Sequence, residues 1–262
     1  VNDMVMSTSA VKKIASVLNS ETRRLERCLR QQGAAGHSHC RPSNDLIIQL
    51  KNISFTYPDP GRVPAVPRLN LSIQPGHVVC FPMENCPFGI NTLFKVISGY
   101  LLPSDGRVRY PDRWRTVYVP VTPILFDGSL MYNLVFSDRA KARRSSTVWD
   151  VCRALGMSSK LVGDADYDVG SHGFYMKFSD RVIVSIARAL LYDVDLLLIS
   201  SALDVLGESC ATKVLRYLRQ YSQQRGLTDE RLPHALRHVK TVLFTSKFAM
   251  LQRQAQQVVS LS

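Results

Sequence analysis

The chain has 262 residues, enough for one large α/β domain with an appendage, and 45% of them are hydrophobic, enough for a substantial core. Its 33 Lys and Arg against 21 Asp and Glu leave a formal net charge of +12, which suits nucleic acid, an anionic membrane surface or acidic neighbours in an assembly. No apolar run is long enough to span a bilayer, and no secretory signal pattern is read at the start.

The opening on Val1 rather than Met suggests a fragment or a processed product. Residues 4–31 read as a helix, with Val11, Ile14, Leu18, Leu25 and Cys28 on one side and Lys12, Lys13, Arg23, Arg24, Arg27 and Arg30 among the rest. Such a stripe needs a cover. It can lie on a membrane, end a helical region of a larger protein, or pack on this chain's own domain, and all three readings stay open. Gly33–Asn44 is a linker by composition. Its His37, His39 and Cys40, even with Cys28, match no familiar metal-ligand spacing, so no metal is expected. A second basic run, Arg139, Lys141, Arg143 and Arg144, has no aromatic interleaving and reads as a solvated face rather than a nucleic-acid site. The cysteines show no paired framework, and Cys80 sits inside an apolar run, as a reduced, buried thiol would.

From Asp45 the β signal is strong. Leu46–Phe55 alternates and Leu69–Ile73 follows a Pro- and Gly-rich loop, which predicts an antiparallel layer. Gly76–Arg109 then reads as a buried strand (Val78–Phe81), a loop, and a helix resuming at Thr92 with Leu93, Val96 and Ile97 on its inner face. Strand, loop and helix N-terminus is the geometry that cradles phosphates. Short strands follow near Arg107–Tyr110 and Thr116–Pro120, then helical stretches at 129–135, 145–156 and Ile183–Leu191. After them come a continuous apolar run at Val194–Ile199, a helix at Glu208–Gln220, and strands at Thr241–Thr245 and Val258–Leu261. Alternation of this kind implies a mostly parallel sheet flanked by helices.

From Asp45 to Ser262 the order of segments resembles the nucleotide-binding domain of ABC transporters, the export type above all. NISFTYPDP with PRLNLSIQPG is similar to the family's opening strands. Ser98-Gly99 through Pro103 and Gly106 is similar to the segment after its phosphate-loop helix, and VYVPVTPILFDGSLMYNLVF (117–136) to its Q-loop region. Ala187-Arg188-Ala189-Leu190 with Asp193 and Asp195 resembles the approach to Walker B. The resemblance implies a P-loop NTPase-like α/β fold over 45–262, with an antiparallel β layer and a helical subdomain at about 122–190. It makes residues 1–32 the possible end of a transmembrane-domain helix, joined through the linker at 33–44.

The same resemblance locates the positions that should carry chemistry. The phosphate-loop motif G-x-x-x-x-G-K-[ST] corresponds here to Glu84, Pro87, Gly89, Ile90, Asn91 and Thr92. With one inserted residue allowed, the motif ended on Thr92 gives the lysine place to Ile90, and ended on Asn91 gives it to Gly89; neither carries an ammonium. Pro87 removes a backbone donor, and Glu84 adds a like charge where phosphate would sit. The Q-loop glutamine falls on Val121, the Walker B aspartate on Ser200, the catalytic glutamate on Ser201 and the switch histidine on Lys247. The signature falls on Met176-Lys177-Phe178-Ser179-Asp180, with no glycine. Tyr57 falls where an aromatic ring stacks on adenine; the alternative is a strand tyrosine packed on a hairpin.

One charge-assisted contact is worth about 1.5–3 kcal/mol of binding, and one transition-state stabiliser about 10²–10³ in rate. Phosphoryl transfer is nearly all positioning and electrostatics, so the expectation is a pseudo-ATPase without cofactor or bound metal, ATP binding resting on Tyr57 alone. With the signature changed too, neither composite site of a dimer would be complete. The expected role is a structural or scaffolding subunit of a larger, membrane-associated assembly with protein partners. The alternative is the ATPase-domain half of a divergent ABC membrane transporter that binds ATP weakly and needs a partner chain. Charge and start point to an organellar, mitochondrial setting, and an RNA-contacting role rests on charge alone.

Overall fold

The structure is a computed structural model and describes residues 47–57, 63–84, 89–111, 114–136, 140, 143–227 and 237–261. The helix expected at 4–31, the linker at 33–44 and Pro87 lie outside the described residues.

Two sheets organise the chain. β1 (Ile48–Phe55), β2 (Val66–Ile73) and β4 (Asp105–Arg109) form an antiparallel sheet in the order β2-β1-β4. β3 (Val78–Pro82), β5 (Thr116–Val119), β6 (Leu196–Ile199), β7 (Thr241–Ser246) and β8 (Gln257–Val258) form a parallel sheet in the order β5-β6-β7-β3-β8. β3, β6 and β7 are covered on both faces, which is why their sequences read as near-continuous apolar runs.

Alternation along these strands sorts the core into two clusters. Val79, Phe81, Leu196, Leu198 and Leu243 face the antiparallel sheet and α1 (Ile90–Ile97). Val78, Cys80, Leu197, Ile199, Val242 and Phe244 face the remaining helical layer. That layer includes α2 (Leu130–Leu134), α3 (Ser145–Leu155), α4 (Phe178–Leu191) and α5 (Glu208–Gln223), and α6 (Ala249–Arg253) follows β7. Helix α3 ends on Gly156 at φ +87, with the Gly156 and Met157 amides returning to the last turn. A left-handed residue there calls for glycine.

The antiparallel register is pinned at one place. Asn52 (φ +50) and Gly106 (φ +78) form an irregularity between β1 and β4, and a Cβ on Gly106 would lie 2.2 Å from the Asn52 carbonyl oxygen. Only glycine fits.

The expected classes of element are present, with corrections at the ends. α1 starts at Ile90 rather than Thr92, because Gly89 in a non-helical conformation lets the turn begin earlier. The strand expected near Arg107–Tyr110 starts at Asp105 and joins the antiparallel layer. α4 starts at Phe178 rather than Ile183, with Asp180 in its first turn where the helix dipole favours a carboxylate. The last strand, expected at Val258–Leu261, pairs only at Gln257–Val258. α6 has too few residues to show a period and was not anticipated. No helix among the described residues is long and apolar enough to cross a membrane.

Candidate functional site

Ligand sites of parallel α/β sheets lie beyond the carboxyl ends of the strands. Here that edge gathers Met83 after β3, Ser200 and Ser201 after β6, and Lys247 after β7, with Gly89 and the start of α1 nearby in the chain. The opposite edge is closed by a buried ionic cluster. Lys240 Nζ lies 2.8 Å from Asp195 and 3.0 Å from Asp193, and Arg115 reaches the same two carboxylates at 3.1 and 2.9 Å. That cluster belongs to the scaffold.

At the carboxyl edge the phosphate-loop residues are engaged with their own protein. The Gly89 amide donates to the Ala65 carbonyl at 3.1 Å. Ile90, 4% exposed, points into the core cluster with Phe81, Leu93 and Phe94. Asn91 Oδ1 accepts a 2.7 Å hydrogen bond from the Ser200 hydroxyl, and Ser200 is 2% exposed. The contact joins the end of β6 to the first turn of α1, and Gly89 is the N-cap of that helix. No residue of α1's first turn is acidic and no side chain caps it.

Around this contact lie hydroxyl groups and one carboxylate, Asp204. Ser201, strained at φ +56, has its amide held by Thr245 Oγ1 at 2.8 Å and its hydroxyl 3.2 Å from Met83 Sδ. Asp204 accepts from the Ser246 hydroxyl and from the Lys247 amide. Lys247 itself is exposed and its ammonium lies over the Phe248 ring at 5.2 Å. Glu84 is exposed.

Tyr57 is half-buried just beyond β1, edge-on to Phe55 at 4.9 Å, and its hydroxyl is 3.1 Å from Thr92 Oγ1. It is neither a strand residue nor a free phenol. Val121 is exposed in the loop after β5. Of the signature-place residues, Met176 is buried, Lys177 is the N-cap of α4, Phe178 is exposed and Ser179 half-buried. Asp180 is buried and accepts from both the amide and the hydroxyl of Ser158, at 2.9 and 2.7 Å. Lys177, Phe178, Ser179 and Asp180 share the start of α4.

Sequence reasoning missed a second surface. Arg188 of α4 donates to the Asn133 carbonyl at 2.7 Å, to Asn133 Oδ1 at 3.0 Å and to the Ile124 carbonyl at 3.0 Å, and lies over the Phe126 ring. Burial lowers its pKa, but a guanidinium stays charged. The clamp fixes one wall of an apolar groove of about 520 Å³ lined by Val117, Pro120, Ile124, Phe126, Phe136 and Tyr192. Ile124, Phe126 and Phe136 are exposed, and the two phenyl rings stack at 4.9 Å. The ARAL segment was legible, but nothing local in it says that its arginine reaches back to residue 124.

A five-stranded parallel sheet carrying an antiparallel layer, a phosphate-loop helix and a helical layer after β5 defines a P-loop NTPase-like domain of the ABC arrangement. No protein-family model matches the sequence. It is 27% identical over 185 residues, 65% of the chain, to the multidrug resistance-like ATP-binding protein MdlA of Escherichia coli. It is 26% identical over 213 residues, 74% of the chain, to the mitochondrial ATP-dependent permease MDL1 of Saccharomyces cerevisiae. A solved structure of a bacterial Atm1-family ABC exporter with ATP bound superposes with a TM-score of 0.66 at 18% identity, covering 82% of this chain and 37% of that one. The chain has the fold of the matched part of that ABC exporter and is similar in sequence to these ATP-binding export proteins. It spans 31% and 30% of the lengths of the two relatives.

Proposed function

We propose that this chain is the nucleotide-binding-domain part of a divergent, membrane-associated ABC export protein that has given up ATP hydrolysis and works through contact with a transmembrane partner. The observation that carries the proposal is the Ser200–Asn91 hydrogen bond beside a buried Ile90. Where the motif calls for a lysine on the phosphates and a hydroxyl on Mg²⁺, this chain has an apolar side chain and an amide. The acid that would complete the metal site is a serine satisfied by that amide. The family implies ATP and Mg²⁺ as ligands, and Ile90, Asn91 and Ser200 do not suit them: these three supply no cation and no carboxylate, while the nearby Asp204 carboxylate is taken by the Ser246 hydroxyl and the Lys247 amide and the Lys247 ammonium lies over Phe248. Tyr57, tied to Thr92, would have to release that bond to present its ring freely.

The partner part of the proposal rests on the apolar groove beside Arg188, whose size and exposed phenyl rings suit a short helix from another segment or chain. Because the chain spans about a third of its relatives, transmembrane segments are proposed as belonging to the rest of such a protein or to a partner. A mitochondrial setting, the one named for the yeast relative, is part of the same proposal. A scaffold role without transport is the second reading, favoured by the signature place, which offers Phe178 and Lys177 instead of glycines. Measuring Mg·ATP affinity and turnover tests the first part. Binding weaker than millimolar with no turnover is expected, and micromolar binding with turnover removes the proposal.

A further inference from the structure

We infer that the outer face of the β1–β4 strand pair is a docking surface for an extended, acidic segment of a partner protein. Lys51 of β1 stands directly opposite Arg107 of β4, and Arg109 follows on the same face opposite Gln49. All three cations are exposed, and none has an acidic partner among the described residues. The nearby Asp105 is taken by Arg68 at 3.0 Å. Like charges directly opposite across an antiparallel pair, with Cβ atoms about 5 Å apart, destabilise it. In this register, marked by the Asn52–Gly106 irregularity, the pair holds three positive charges with no acidic partner among the described residues.

Chemistry narrows the occupant. None of the exposed large apolar residues comes from β1, β2 or β4, so the face has no wedge for hydrocarbon and no ring for stacking bases. β4 is an edge strand among the described residues, so one row of its backbone groups is open to a further strand. Alternate residues of a strand are about 6.6 Å apart on one face, so acidic residues at every second position of an added strand would meet Arg107 and Arg109 one to one.

The test uses the chain as it stands and a fluorescent peptide of alternating Glu and Thr. Binding should weaken with salt and fall about tenfold in the triple variant K51Q/R107Q/R109Q. A peptide of the same sequence N-methylated at successive amides has no donor left on either edge and cannot add as a strand, and it should bind the parent several-fold more weakly; this arm stands even if the triple variant does not fold. Equal binding by parent and triple variant, or by the two peptides, overturns the inference. So does preference for phosphatidylserine vesicles or oligouridine RNA over the peptide. Aggregation of the triple variant with unchanged peptide affinity would make the charges guards of an edge strand instead.

Discussion

Ser200 and Asn91 meet across the carboxyl edge of the parallel sheet, the serine hydroxyl donating to the asparagine Oδ1 at 2.7 Å. On the proposed reading these are two places that coordinate a metal in the motif, here neutral and hydrogen-bonded to one another. Removing one partner leaves the other unsatisfied at a nearly buried place, so Ser200→Ala and Asn91→Ala should each cost about 1–2 kcal/mol. A double-mutant cycle read from urea midpoints should return a coupling of about 1 kcal/mol. Additive effects would mean the bond contributes nothing.

Reintroducing one charge alone should hurt. Ser200→Asp puts a carboxylate at a 2% exposed site with Ile90 in place of an ammonium, so its pKa in the folded state should rise. A raised carboxylate pKa means the penalty is absent below the unfolded value of about 3.9 and grows as pH climbs through the folded value. Melting compared with the parent at pH 4 and pH 7.5 should show the larger deficit at the higher pH.

The described thiols carry a pH signature of their own. Burial pushes Cys80 and Cys152 up to about 12 from an ordinary value of 9.0. Between these values the unfolded chain gives up protons that the folded chain keeps. Stability from each is therefore complete below pH 9 and declines by about 1.4 kcal/mol per pH unit above it. At pH 8 iodoacetamide should modify half-buried Cys210 well before either buried thiol.

The ionic cluster at the other edge should be the most sensitive polar site. Lys240→Met leaves buried Asp195 with Arg115 as its remaining strong partner and should cost about 3–5 kcal/mol in denaturant titration. Lys240→Met with Asp195→Leu should recover part of that loss, since the uncompensated charge is then gone.

Arg188→Lys keeps the charge but loses the fork that holds Asn133 and Ile124 together. Hydrogen exchange should quicken across 124–133 while β3, β6 and β7 stay protected.

The parts of the fold that were legible in sequence are those whose cause is local. LLLI at 196–199 and VVCF at 78–81 announce doubly covered strands, and the spacing of Leu93, Val96 and Ile97 announces the helix after the loop, though not its start at Ile90. The candidate site was legible as positions rather than as contacts. Ile90 could be read as a missing lysine, but its turn into the core needs Phe81 and Phe94, which only the folded sheet brings near. Tyr57 pairs with Thr92 across 35 residues and Arg115 with Asp195 across 80, and charge or hydroxyl patterns carry no signal over such separations. Asp180 read as the last letter of a changed motif, whereas its carboxylate holds Ser158.

The central claim is that this pocket neither grips nor cleaves a triphosphate. Titrating Mg·ATP into the intact chain calorimetrically, with phosphate release followed in the same sample, tests it most directly. No saturable heat below millimolar ATP and no release above buffer are predicted. Micromolar saturation accompanied by steady phosphate release, abolished by Ser200→Ala, would contradict it.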